Sequence, residues 1–194
     1  AAQSAWEASA TAYRRAIALD PPGEPALHRA LGDVLAERGL DGEARDAYEQ
    51  ARTLDPRHLD GLDRCARTWM RLGDAAHAAA RWDEAFAVDP SYLPALAGQT
   101  RRTSAARDWE QVRLWATRWT EASGGRDAEP LAAQGRALLA LGDAAGAARA
   151  LEAAVALVPR DAGLLRDAAR AHRDAGVTAQ ALRRFKDAHK AAPG

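Results

Sequence analysis

Several residue types are scarce, and each scarcity excludes something. Cysteine occurs once, as Cys65, which rules out an internal disulfide framework and any cysteine-cluster zinc site. Asparagine is absent, and lysine occurs only as Lys186 and Lys190. No glycine-rich run precedes Lys-Ser or Lys-Thr, so there is no phosphate-cradling loop. No Gly-x-Ser-x-Gly elbow occurs either. The histidines His28, His58, His77, His172 and His189 are scattered, with no pair at one-turn spacing such as a zinc site uses. Charge of either sign is not in excess, with 27 basic and 27 acidic residues, so no global field draws the chain to nucleic acid or an anionic membrane. No apolar run reaches the ~18 to 20 residues of a membrane span. The opening Ala1-Ala2-Gln3-Ser4 contains no basic or apolar leader region and does not indicate a compartment. The expectation is a non-catalytic protein without cofactor or metal, with Cys65 serving as a small apolar filler.

Alanine and arginine dominate what is present: 51 residues are Ala, and 25 of the 27 basic residues are Arg. Both favour helix. Aromatics make up 6% and hydrophobic residues 47%, which argues against an all-β fold and against global disorder.

Proline marks an internal period. Pro21, Pro56, Pro90, Pro159 and Pro193 follow helix-like runs at intervals of 35, 34, 69 and 34. The preceding segments match: Ala16-Ile17-Ala18-Leu19-Asp20, Ala51-Arg52-Thr53-Leu54-Asp55 and Ala85-Phe86-Ala87-Val88-Asp89. The period of 34 defines repeats 25–58, 59–92, 93–127, 128–161 and 162–194 after a half-repeat 1–24. Position 8 is small in each repeat: Gly32, Ala66, Thr100, Gly135 and Ala169. Position 20 is Ala44, Ala78, Val112, Ala147 and Ala181, and position 27 is Ala51, Ala85, Trp119, Ala154 and Ala188. Position 24 is bulky except once: Tyr48, Trp82, Ala116, Leu151 and Phe185. Gly39, Gly73, Gly142 and Gly176 are placed to end the first helix of a repeat, and Asp74, Asp108, Asp143 and Thr178 to cap the second. The unit is a helical hairpin. Its A helices are expected over 26–38, 60–72, 94–106, 129–141 and 163–175, and its B helices over 4–19, 42–54, 76–88, 109–122, 145–157 and 179–191. One hairpin cannot bury its apolar faces alone, so hairpins stack.

The third repeat departs from the pattern, with Arg107 in the glycine position and Trp119 where alanine recurs, while Ala116 occupies the bulky position. Exchange of large and small would conserve volume within one seam. Trp109, Trp115 and Trp119 crowd this helix; beside a repacked core stands an exposed aromatic contact, for which Trp115 is the best placed.

The pattern Leu31-Gly32, Ala44, Tyr48, Ala51 and Pro56, recurring in register, resembles the tetratricopeptide repeat family. The resemblance covers nearly the whole chain, 1–194, as a single array. It implies an all-α, right-handed superhelical solenoid whose A helices line a concave groove that binds a peptide segment. Pentatricopeptide repeats, which read RNA, have a different small-residue pattern. Position 9, a groove position of the resembled family, reads Asp33, Arg67, Arg101, Arg136 and Arg170, and Arg29, Arg71, Arg166 and Arg173 lie nearby. Guanidinium groups bind carboxylates through paired hydrogen bonds, so the expected partner is a protein or peptide, acidic in character. Asp60, Asp63, Glu129, Asp167 and Asp174 share the groove and could pair with the ladder internally. The two-carboxylate clamp that some family members use needs Lys and Asn; Arg29 and Asp33 stand there, and that function is not carried over.

The leading reading is a protein–protein interaction scaffold. The alternatives are a regulatory or substrate-docking region of a larger enzyme, or an envelope-assembly subunit such as a pilotin or polysaccharide-export component. The array begins in a B helix carrying Trp6 and Tyr13 and closes on one carrying Leu182 and Phe185. These side chains are expected to leave apolar surface at both ends, as in a piece of a longer array or one able to self-associate.

Overall fold

The computed structural model describes residues 2–19 and 23–192, with side chains from Trp6 onward. Among these residues there are eleven α-helices and no strand. They are α1 (Ala2–Leu19), α2 (Pro25–Glu37), α3 (Asp41–Leu54), α4 (Leu59–Arg71), α5 (Ala75–Val88), α6 (Leu93–Ala105), α7 (Trp109–Ala122), α8 (Ala128–Ala140), α9 (Ala144–Leu157), α10 (Ala162–Asp174) and α11 (Thr178–Ala191). The even-numbered helices are the A helices and the odd-numbered the B helices. All-α hairpin architecture is thus as expected. Each A helix starts and stops one residue earlier than the sequence pattern suggested. The helix-ending signals Pro21 and Pro193 lie outside the described residues.

Local chemistry explains the boundaries. Asp74, Asp108 and Asp143 cap α5, α7 and α9, their side chains accepting from the backbone N–H of His77, Gln111 and Gly146. Asp127 and Asp161 cap α8 and α10 in the same manner, and the His58 ring accepts from Gly61 N–H at α4. Thr178 is not a cap: Val177 occupies that place without a side-chain hydrogen bond, and Thr178 is already the first helical residue. Between A and B helices the chain reverses through a left-handed residue. Four of the five hairpin turns use glycine there, and the third places Arg107 at φ 56°.

The chain forms two compact units, one ending at Gly98 and the other starting at Gln99. In the first, Leu31, Leu35, Ala44, Ala47 and Tyr48 form a core with Ala10 of α1 and Cys65 of α4. A second cluster joins Leu62, Ala66, Ala78, Trp82, Ala85 and Ala95. The Trp82 ring lies so close to Gly98 that a Cβ there would collide with it. In the second unit, Leu131, Ala147, Leu151, Ala154, Val155, Leu164, Leu165 and Ala168 pack together. In α7, Ala116 and Trp119 are both buried. Large and small have therefore changed places within the seam, one helical turn apart.

Candidate functional site

In the second unit, consecutive A helices are joined by arginine–carboxylate pairs at repeat position 9. Arg101 of α6 donates from Nη2 to both oxygens of Glu129 on α8, at 2.8 and 3.1 Å. Arg136 of α8 donates from Nε to Asp167 of α10 at 2.7 Å. Arg170 approaches the other Asp167 oxygen at 3.8 Å. Arg173 pairs with its neighbour Asp174 at 2.8 Å, and Arg166 is exposed. The position-9 side chains stay open to solvent even while paired, with Arg101 61% exposed and Arg136 53%.

The first unit carries a different arrangement. Arg67 is exposed and pairs at 2.7 Å with Asp63, one turn back. Asp63 is itself buried and accepts from the Trp82 indole at 3.0 Å. Arg71 turns to Asp41 at the start of α3, at 2.6 Å. Arg29 is drawn against Asp55, its Nη1 3.7 Å from Oδ2, and does not join Arg67. Sequence reasoning missed Arg64, which donates to Asp33 at 2.6 Å and to Asp60 at 2.8 Å. Asp33 also accepts from the Tyr48 hydroxyl at 2.6 Å. Burial first, and then the Asp33 carboxylate, push the Tyr48 phenol well above its ordinary value, so it remains a donor.

Trp109 and Trp115 are half-buried, and the Arg118 guanidinium lies over the Trp115 ring, 4.9 Å from its centroid. Leu114 is a large exposed apolar side chain of that helix.

A second recurring motif escaped the sequence reading. Glu49 on α3 accepts from the Trp69 indole of α4 at 2.9 Å and lies 3.1 Å from Arg81 Nε of α5. Glu152 on α9 accepts from His172 Nε2 of α10 and Arg184 Nε of α11, both at 2.8 Å. The two glutamates share repeat position 25, Trp69 and His172 share position 11, and Arg81 and Arg184 share position 23. Their common offsets were the available signal. The hydrogen bond from Arg184, followed by that from His172, holds Glu152 below its ordinary range against the opposing effect of burial. Burial is the largest influence on Glu49, but hydrogen bonds from Trp69 and Arg52 outweigh it and keep this group low as well. Cys65 is buried beside Glu49, and burial pushes its thiol far up, as in an inert packing cysteine.

Among the described residues no group of three or more His, Cys, Asp or Glu side chains is placed to hold a metal ion. No described helix is long and apolar enough to cross a membrane.

Helical hairpins with buried alanine seams define a class, that of helical-repeat proteins. The tetratricopeptide repeat family profile matches residues 1–58. The same hairpin register recurs in the later described helices, so the fold is that of tetratricopeptide repeats. No curated protein sequence matches it. Solved structures share the fold. A crystal structure of the MamA protein is 17% identical, with a TM-score of 0.78 over 86% of this chain and 91% of that one. MamA 41-end from Desulfovibrio magneticus RS-1 is 16% identical, with a TM-score of 0.77 over 86% and 94%. A MamA RS-1 double mutant is also 16% identical, with a TM-score of 0.79 over 86% and 93%.

Proposed function

We propose that the A-helix face of the second unit seats an acidic peptide segment of a partner protein, with Arg101, Arg136 and Arg170 contacting its carboxylates, and that Arg67 provides a carboxylate contact of the same kind on the first unit by itself. The observation that carries this reading is the set of position-9 guanidiniums, each solvent-exposed and each held by a carboxylate from its own or the next A helix. Exposed ion pairs contribute only about 0 to 1 kcal/mol each, so a ligand carboxylate can replace Glu129 or Asp167 at small cost. Until then the internal partner keeps the arginine fork oriented for two-point recognition. Arg166 and Arg173 flank the second-unit face, and Arg71 the first. Arg29 contributes to the seam at Asp55 rather than to the seat.

The test uses a fluorescein-labelled Glu-rich peptide and its Gln-substituted counterpart. The Glu peptide binds and weakens with added salt, whereas the Gln peptide does not bind. The triple variant Arg67→Glu, Arg101→Glu, Arg136→Glu loses binding while its helical circular dichroism is unchanged. Equal binding of the Glu peptide by the triple variant would remove this reading.

A further inference from the structure

The position-9 arginines of the second unit recur with a fixed step. Arg101, Arg136 and Arg170 occupy the same place on α6, α8 and α10. Arg101 reaches across to Glu129 of α8, and Arg136 to Asp167 of α10. Neighbouring A helices are therefore within one side chain of each other, and α8 and α10 touch directly. Helices packed in this way stand about 8 to 10 Å apart, which sets the step from one guanidinium to the next. All three side chains are more than half exposed, Arg170 at 59%. A ligand that meets all three crosses the helices rather than running along one of them.

What surrounds the arginines decides the conformation of that ligand. Every exposed side chain of α8, of α10 and of α6 from Gln99 onward is an arginine, a carboxylate or an alanine. A helical ligand lays an apolar stripe into an apolar groove, and these helices expose no large apolar side chain to receive one. A strand ligand pairs with a sheet edge, and the described residues contain no strand. Its side chains on one face also recur at about 7 Å, which misses the step. Polyproline II needs neither groove nor edge. Three residues make one turn and rise about 9 Å, and the backbone stays in water. Every third side chain then points the same way, at the step of the arginines.

We infer that the second unit selects an extended, polyproline II segment with Asp or Glu at every third residue, one carboxylate for each of Arg101, Arg136 and Arg170. This register rests on the acidic seat proposed for the same face and adds to it a spacing and a conformation. An acidic segment with its charges bunched together reaches one arginine fork at a time. Arg166 and Arg173 lie one turn to either side of Arg170 along α10, off the line that joins the three, and add attraction without register.

Three fluorescein-labelled, amide-ended peptides test the register on the whole chain. The first is Glu-Pro-Pro-Glu-Pro-Pro-Glu. The second has the same composition with its acids together, Pro-Pro-Glu-Glu-Glu-Pro-Pro. The third is a stapled helix with Glu at every seventh residue, a repeat of about 10 Å along its axis. Fluorescence anisotropy at fixed salt is expected to rank the first peptide tightest, with the second on the order of tenfold weaker because two of three exposed ion pairs are lost. Replacing the middle Glu of the first peptide by Gln weakens its binding to the parent and leaves its binding to Arg136→Gln unchanged, which ties that carboxylate to Arg136. Arg136 is exposed, and circular dichroism checks that the variant keeps its helices. The register is overturned if the spaced and bunched peptides bind alike, if the stapled helix binds tighter than either, or if the effects of the two Gln changes simply add. When spaced and bunched peptides bind alike and the triple variant Arg67→Glu, Arg101→Glu, Arg136→Glu loses both, the acidic seat stands and only the spacing falls. When no acidic peptide binds, both fall.

Discussion

At the scale of single residues, this fold is controlled by a few positions where size or backbone conformation leaves little choice. Ala78 and Ala147 are fully buried within the core clusters between helices. Replacing either with Leu should overpack the seam and destabilise by about 1 to 3 kcal/mol, read as a lower urea midpoint. A variant that unfolds with the parent would show the seam register to be wrong. Arg107 is the one non-glycine residue with positive φ among those described. A left-handed conformation costs an ordinary residue about 1 to 2 kcal/mol, so Arg107→Gly should stabilise the protein by about 1 kcal/mol. The same denaturation experiment checks this, and a destabilised variant would mean that the Arg107 side chain makes a compensating contact. These positions were legible in the sequence because period-averaging repeats the same steric demand five times. Thr178 was misread because Val177 displaced the acidic cap found in the three preceding B helices, and a hydroxyl one residue later looked like its substitute.

At the scale of elements, polar bonds between hairpins accompany the apolar seams. Glu152 is tied at once to α10 through His172 and to α11 through Arg184. Its folded-state pKa is depressed from the ordinary 4.5. The stability it contributes is therefore fully present above the unfolded value and disappears as pH falls through the folded one. Glu152→Gln should be less stable than the parent at pH 7, with the gap closing as pH drops below about 4.5. Chemical denaturation across that range tests it, and a gap independent of pH would contradict the role given to the ionised carboxylate. This motif stayed hidden in the sequence because Trp69 and His172 look unalike as residue types, although both offer an N–H at the same offset. Helix extents, by contrast, were legible to within a residue or two, because caps, left-handed turns and alanine spacing agree with one another. The candidate site was legible only in part. Position 9 pointed to Arg67, Arg101, Arg136 and Arg170. The diversion of Arg29 to Asp55 and the recruitment of Arg64 to Asp33 depend on side-chain reach, which spacing does not encode.

At the scale of the whole molecule, a balanced total charge hides locally ordered charge. The 27 basic and 27 acidic residues cancel in sum, yet guanidiniums recur at one repeat position with their carboxylates beside them. Under the proposed function such pairs exchange: a ligand carboxylate would replace an internal one, and the displaced acid would return to water. This exchange is the central claim, and arginine side-chain NMR observes it directly. The Nε–Hε resonances of Arg101 and Arg136 report their bonds to Glu129 and Asp167, and a Glu-rich peptide is titrated against them. The account predicts that both resonances shift with the bound fraction and return toward the free positions as salt is added. Saturable peptide binding with both resonances unmoved would contradict it.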